Sequence, residues 1–242
     1  MNLYGLLSDE KAMAGMLYGL NPKTIVSIPA GENINYGKGV FLNGDKTAVV
    51  AEKYNNHAVV DLSAYTTASK DISLTINGTA VTATTSGTIA DDVAAIVADI
   101  ADNVEGVTAV AGTGANAGKI TLSSDSGKDL EIELVYDGSD VTSSKVTLSS
   151  DCVYAGVSVF HQNAFLNVRG LYVETETVNI MEKGYIYVTL ASGVNPVIGT
   201  TAYVTPAGTF TTESSGNTQV GVFKSAKETG SNNDSIALVS LD

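Results

Sequence analysis

The chain has 242 residues, with 13 Lys and Arg against 26 Asp and Glu, one Cys and no Trp, for a formal net charge of −13. That acidic balance excludes binding to a nucleic-acid backbone, which needs clustered Lys and Arg to displace counterions, and opposes an anionic membrane surface. One Cys excludes an intramolecular disulfide and a Cys-based zinc site, and no run reaches the ~20 apolar residues of a membrane helix.

Residues 8–19 predict a short helix. Ser8 suits the N-cap, Asp9 and Glu10 suit the positive end of the dipole, and Gly19 and Pro22 stop it. The same acidic pair stands where a signal peptide would be apolar, so no targeting segment is expected. Ala12, Met13, Met16, Leu17 and Leu20 recur at helical spacing. Two readings stay open: a helix covering its own core, or an arm that donates Met13, Met16 and Leu17 to a partner, since Met-rich surfaces adapt to what they meet. From 24 to 69 the pattern is strands, TIVSI, VFLN, AVVAEKY and HAVVDL, punctuated by Gly31, Gly37, Gly39 and Gly44.

Charge then marks a boundary. Residues 70–150 carry net −8, against −1 for 1–69 and −4 for 151–242. The middle stretch reads as a solvated domain of its own. It opens on alternating Ile72, Leu74 and Ile76, turns at Asn77-Gly78, where both residues tolerate positive φ, and returns through Thr79, Val81 and Ala83. A helix follows over 89–102, with Thr88 as N-cap and Ile89, Val93, Ile96, Val97 and Ile100 on one stripe. GVTAVAG, KITLSS and LEIELVY add strands. Residues 151–242 read as strands spaced by Gly, Asn and Pro, the pattern of an antiparallel barrel or sandwich. The expected fold class is therefore mainly β: an antiparallel β-barrel or sandwich built from the N- and C-terminal segments, with a small inserted α+β domain. The expected layout is an arm over 1–22, a barrel over 23–69 and 151–242, and the insert over 70–150.

The chemical motifs are weak. Gly112 to Ile120 (GTGANAGKI) resembles a phosphate loop, but Thr113 stands at the first Gly position, Ile120 at the hydroxyl position, and a strand follows where a helix is needed. Cys152 follows Asp151, which weakens a thiolate. His57 and His161 lie far apart with no third metal ligand in pattern. Glu174 and Glu176 sit two apart on what reads as one strand face, where solvated carboxylates are the default. Asn77-Gly-Thr79 and Asn233-Asp-Ser235 are formal glycosylation sequons that matter only in a eukaryotic secretory setting. No catalytic, cofactor-binding or metal-ligating residue is predicted, and a binding or structural protein is the expectation.

Two resemblances sharpen it. Ala12-Met13-Ala14-Gly15-Met16, the strand around Ile25–Ile28, and Ile34-Asn35-Tyr36-Gly37-Lys38-Gly39-Val40 resemble the opening of tailed-phage structural cement proteins, which decorate capsids. AGVSVFHQ, GLYVETETVNIMEKGYIYV, GTTAYVTPAGTFTT, QVGVFKSA and SIALVSL follow in the order of that family's C-terminal barrel. Residues 70–136 instead resemble the flagellin hook IN motif, through DISLTINGTAVT, GTIADDVAAIVADI and GKITLSSDSGKDLEI. The resemblance implies a non-enzymatic virion protein, made in the host cytoplasm, that binds the outside of an assembled capsid where capsomers meet. Its partners would be the major capsid protein and its own copies, as a trimer, with no cofactor, nucleic acid or membrane. Met13, Met16, Leu17 and Tyr18 are the expected partner contacts. The alternative is an adhesion module of a phage fibre or cell surface that binds glycan or protein through the insert.

Overall fold

The computed structural model describes residues 12–19, 22–160 and 171–242. Among the described residues strands make up 45% and helices 10%, so the fold is mainly β; its sheets are antiparallel and one of them curls into a half-barrel. The chain forms two compact units, Met1–Lys53 with Cys152–Asp242, and Tyr54–Asp151.

The first unit is organised around the 13-residue strand Thr177–Thr189. Its first half pairs with Thr24–Pro29 on one side and Val153–Ser158 on the other; its second half pairs with Ser235–Leu241. The sheet continues from Ser235–Leu241 through Thr218–Phe223 and Thr201–Val204 to Phe210–Thr211, and from Val153–Ser158 through Gly39–Leu42 to Val49–Val50. The change of partners falls at Gly184, whose φ is 127°. A Cβ there would lie 3.1 Å from Lys23 Cβ and 3.3 Å from Met181 Cε, so glycine permits the bend that curls the sheet. Ile34, Tyr36, Val40, Val49, Tyr172, Val178 and Ile180 form a buried cluster inside the curl. Tyr36 meets Phe160 and Tyr172 edge to face at 5.2 and 5.1 Å between ring centroids, the geometry the ring quadrupoles favour.

The second unit holds two four-stranded sheets and the helix Ile89–Asn103. Alternation places Ile72, Leu74 and Ile76 inward, and Val93, Ile96 and Ile100 of the helix join them with Val60, Ile120 and Leu122 in one core. The Asn77-Gly78 turn has φ of 49° and 83°, the left-handed pair that a two-residue hairpin needs. At the helix start Thr88 has the extended backbone of an N-cap, but its hydroxyl caps nothing. Asp92 Oδ1 instead accepts from Ser86 N at 2.7 Å and fixes the approach to the helix.

Two segments differ from the sequence reading. Residues 12–19 are not helical: they form a turn and then an extended stretch bridged to Thr177–Thr189 at Leu17 and Ile186. Ser8, Asp9, Glu10 and Leu20 lie outside the described residues. The physical reason is tertiary: Gly15 sits at φ 76°, which breaks a helix, and the strand edge supplies partners that an isolated short helix lacks. The strand His57–Asp61, grouped by sequence with the barrel, pairs with Lys119–Ser124 and Val146–Ser149 in the second unit.

Candidate functional site

The predicted arm is clipped to the first unit through its backbone. Gly15 N donates to Tyr187 O at 2.7 Å, Tyr187 N to Met16 O at 3.0 Å, and Tyr18 N to Tyr185 O at 3.0 Å. On the other side of the turn Phe160 N donates to Gly15 O at 2.8 Å, and Ser231 N donates to Ala12 O at 3.2 Å. This pairing alternates the side chains. Ala14 is buried and Met13 and Leu17 half-buried, while Met16 is 39% and Tyr18 54% exposed. The Tyr18 ring stands edge-on to Tyr187 at 6.3 Å. The four predicted contact residues therefore divide: Met16 and Tyr18 present apolar surface outward, and Met13 and Leu17 hold the arm down.

Met13 and Ala14 form one wall of a cavity of about 270 Å³ whose other walls include Tyr36, Lys38, Phe160 and Asp234. Burial lowers the pKa of the Lys38 ammonium, partly offset by the Glu52 carboxylate. Burial, and then the Glu176 carboxylate, push the Tyr36 phenol up. Tyr172 is more strongly perturbed: burial pushes it up to about 12, its Oη donates to Val159 O at 2.7 Å, and it accepts from Asn179 N at 3.3 Å.

The rejected motifs fall in structural positions. Gly114–Asn116 is a 3-10 turn inside the hairpin of Val107–Ala111 and Lys119–Ser124. Cys152 is buried. Glu174 and Glu176 belong to a turn and not to a strand face: Glu176 Oε2 accepts from Val173 N at 2.8 Å, and Thr175 takes φ 73°. His161 lies outside the described residues. Among the described residues no group of three or more His, Cys, Asp and Glu could hold a metal ion, and no helix is long and apolar enough to cross a membrane.

Sequence reasoning missed one polar cluster. His57 Nε2 lies 3.2 Å from Asp151 Oδ2, Asn56 Nδ2 donates to Asp151 Oδ1 at 2.6 Å, and Asp151 N donates to Asn56 Oδ1 at 3.3 Å. Burial pushes the Asp151 carboxyl up, but the hydrogen bonds from Asn56 and His57 outweigh it and hold the group below the usual carboxylate range. The cluster ties Asn56 and His57, near the start of the second unit, to its last residue, Asp151. No local signal links positions so far apart in sequence.

No curated protein matches the chain. Residues 132–242 match the family model described as Structural cement protein (E217 gp24/Pam3 gp6), a span just under half of the chain that takes in the whole C-terminal part of the first unit, and the match supports a structural role in a phage virion.

Proposed function

We propose that the protein is a non-enzymatic decoration protein that binds the outer surface of a phage capsid and stabilises contacts between capsomers, with the major capsid protein and its own trimeric copies as partners. The match of residues 132–242 to the structural cement family carries this reading. The arm adds to it: a backbone-clipped segment that holds Met16 and Tyr18 outward is fixed before binding, so little conformational entropy is lost when a partner covers them. Internal pressure from packaged DNA pulls capsomers apart. A protein that binds only the assembled lattice adds its binding free energy to the assembled state by mass action, and copies linked in a trimer make a modest affinity count. The excess of negative charge keeps the protein soluble before it meets the capsid.

The test is co-sedimentation with capsids from a phage lacking this chain. Wild-type protein is expected to pellet with the capsids and to raise the temperature at which they come apart. The variant Met16→Asp/Tyr18→Asp is expected to bind at least tenfold more weakly, because two desolvated apolar contacts are replaced by charges. Wild-type protein that stays in the supernatant overturns the reading.

A further inference from the structure

The cavity of about 270 Å³ beside the arm lies wholly within the first unit, and backbone bonds fix its walls. The turn from Gly230 to Asp234 closes through Gly230 N to Asp234 O at 2.9 Å and Asn233 N to Gly230 O at 3.1 Å, with Asn233 at φ 63°. Elsewhere on the wall Thr189 N donates to Gly37 O at 2.9 Å, and Lys38 N to Ser158 Oγ at 3.1 Å. Asn35 and Asn232 are exposed, so the cavity opens to solvent beside them.

The polar side chains on these walls lack partners. Among the described residues the side chains of Asn35, Thr189, Asn232 and Asp234 make no hydrogen bond, and the Lys38 ammonium joins no ion pair. The Asp234 carboxylate stands out, because its Oδ1 is shielded from solvent and has no donor. A shielded carboxylate oxygen without a donor destabilises a fold. Such breaches of the packing rules concentrate at functional sites.

The chemistry of the walls selects the ligand. Lys38 and Asp234 are the charged lining residues, one of each sign, so the site favours neither an anion nor a cation. Asn35, Asn232 and Thr189 each donate and accept, Lys38 only donates and Asp234 only accepts; hydroxyl groups answer all of these. The Tyr36 and Phe160 rings, with Met13 and Ala14, make the remaining wall apolar, as the C–H face of a sugar ring requires. The volume falls below the ~300–1,000 Å³ of pockets that take drug-sized ligands, which limits the occupant to about one ring. We propose that this cavity binds one pyranose ring of a neutral saccharide, with ring hydroxyls donating to the Asp234 carboxylate and Asn232 binding at the entrance. The site belongs to the first unit and not to the insert, and it does not depend on the capsid reading.

The experiment is saturation-transfer NMR on the free full chain with glucose, galactose, mannose and N-acetylglucosamine. Free alanine, as a zwitterion, and acetate, as an anion, are the comparison compounds. Wild type is expected to transfer saturation to at least one of the sugars, with Kd on the order of 1 mM for so small a ligand, and to neither comparison compound. Asp234→Ala and Asn232→Ala are each expected to weaken that binding at least fivefold. The unfolding temperature of Asp234→Ala should not fall, because the substitution removes a carboxylate that lacks a donor; Asn232 is exposed, so its variant keeps the test decisive if the first misfolds. No transfer from wild type to any of the sugars overturns the proposal. Unchanged transfer in either folded variant overturns the site. Binding of alanine or acetate in place of the sugars overturns the neutral ligand. Loss of binding together with a lower unfolding temperature in both variants assigns the two side chains to structure and overturns the proposal too. None of these outcomes bears on capsid attachment, which pelleting tests separately.

Discussion

Gly15 and Gly37 meet backbone to backbone: a Cβ on Gly37 would fall 2.5 Å from Gly15 N and 2.7 Å from Ala14 Cβ, and a Cβ on Gly15 would fall 2.9 Å from Gly37 N. Both residues also take left-handed backbone, at φ 76° and 69°. The contact joins the two N-terminal words that carry the cement resemblance, AMAGM and INYGKGV, at one point. It is what lets the arm lie flat against the first unit.

Gly37→Ala therefore faces two costs, backbone strain and a clash with main-chain atoms that cannot swing aside, together about 2–4 kcal/mol. Gly78→Ala is the control. Its φ is 83° with nothing within 4 Å of the added Cβ, so it carries strain alone, about 1 kcal/mol. Chemical denaturation of the two variants separates these costs, and hydrogen exchange locates the damage. Gly37→Ala is expected to speed exchange at the Tyr18 amide, bonded to Tyr185 O. Equal destabilisation in the two variants would refute the close-contact account.

Tyr172 bridges two backbone groups from inside the core, and Tyr172→Phe strands both, Val159 O and Asn179 N. The expected loss is about 1–3 kcal/mol, the desolvation cost of buried polar groups left unpaired. The phenol also contributes to the alkaline sensitivity of the fold, together with the Tyr154 phenol, which burial pushes up further. The folded pKa of Tyr172 is raised to about 12, above the ~10 of an unfolded tyrosine. Its contribution is thus fully present below about pH 10 and is lost as pH climbs toward 12. Unfolding midpoints measured from pH 9 to 12 should fall more steeply for wild type than for Tyr172→Phe.

What the sequence made legible was local. The Asn77-Gly78 turn and the buried stripe of Val93, Ile96 and Ile100 follow from chemistry a few residues wide. The arm misled because Ala12, Met13, Met16 and Leu17 fit a helical period, while the competing partner, the edge at Tyr185 and Tyr187, lies far along the chain. The grouping of His57–Asp61 misled for the same reason: its ladder partners are Lys119–Ser124 and Val146–Ser149, and charge changes near residue 70, not near 54. Glu174 and Glu176 read as strand because an alternating apolar pattern continues through them. Only the positive φ at Thr175 reveals a turn, and that is not written in residue type. For the candidate site, composition pointed to Met13, Met16, Leu17 and Tyr18, but which of them face outward depends on the strand pairing.

The Asp151 cluster predicts an acid-sensitive contribution to stability. The carboxyl is held below its ordinary value, so its stabilisation is present above the unfolded pKa of about 4 and is lost as pH falls below it. The side chains of His57 and Asp151 are 36% and 42% exposed, so solvent screening limits the effect to about 0.5 kcal/mol. Asp151→Asn should fall below wild type at pH 7 in denaturant unfolding of the second unit, by a margin that shrinks as pH is lowered below about 4. A constant difference across that range would remove the charge from the explanation.

The same cluster predicts that the second unit can be removed. Because Asn56 and Asp151 hydrogen-bond directly, the chain leaves this unit beside the point where it arrives, and a linker of about three Gly or Ser residues replaces residues 54–151 at small loop-closure cost. The buried cluster around Ile34, Tyr36 and Ile180 draws no residue from 54–151, and the ladder of Val153–Ser158 on Gly39–Leu42 pairs Val153 with Leu42 inside the first unit. The shortened chain is expected to unfold cooperatively, with a β-type circular dichroism spectrum, and to keep its capsid binding. If it folds but no longer pellets with capsids, the removed unit takes part in attachment. If it is molten, with ANS binding and no cooperative transition, the two cores are interdependent despite their separate packing.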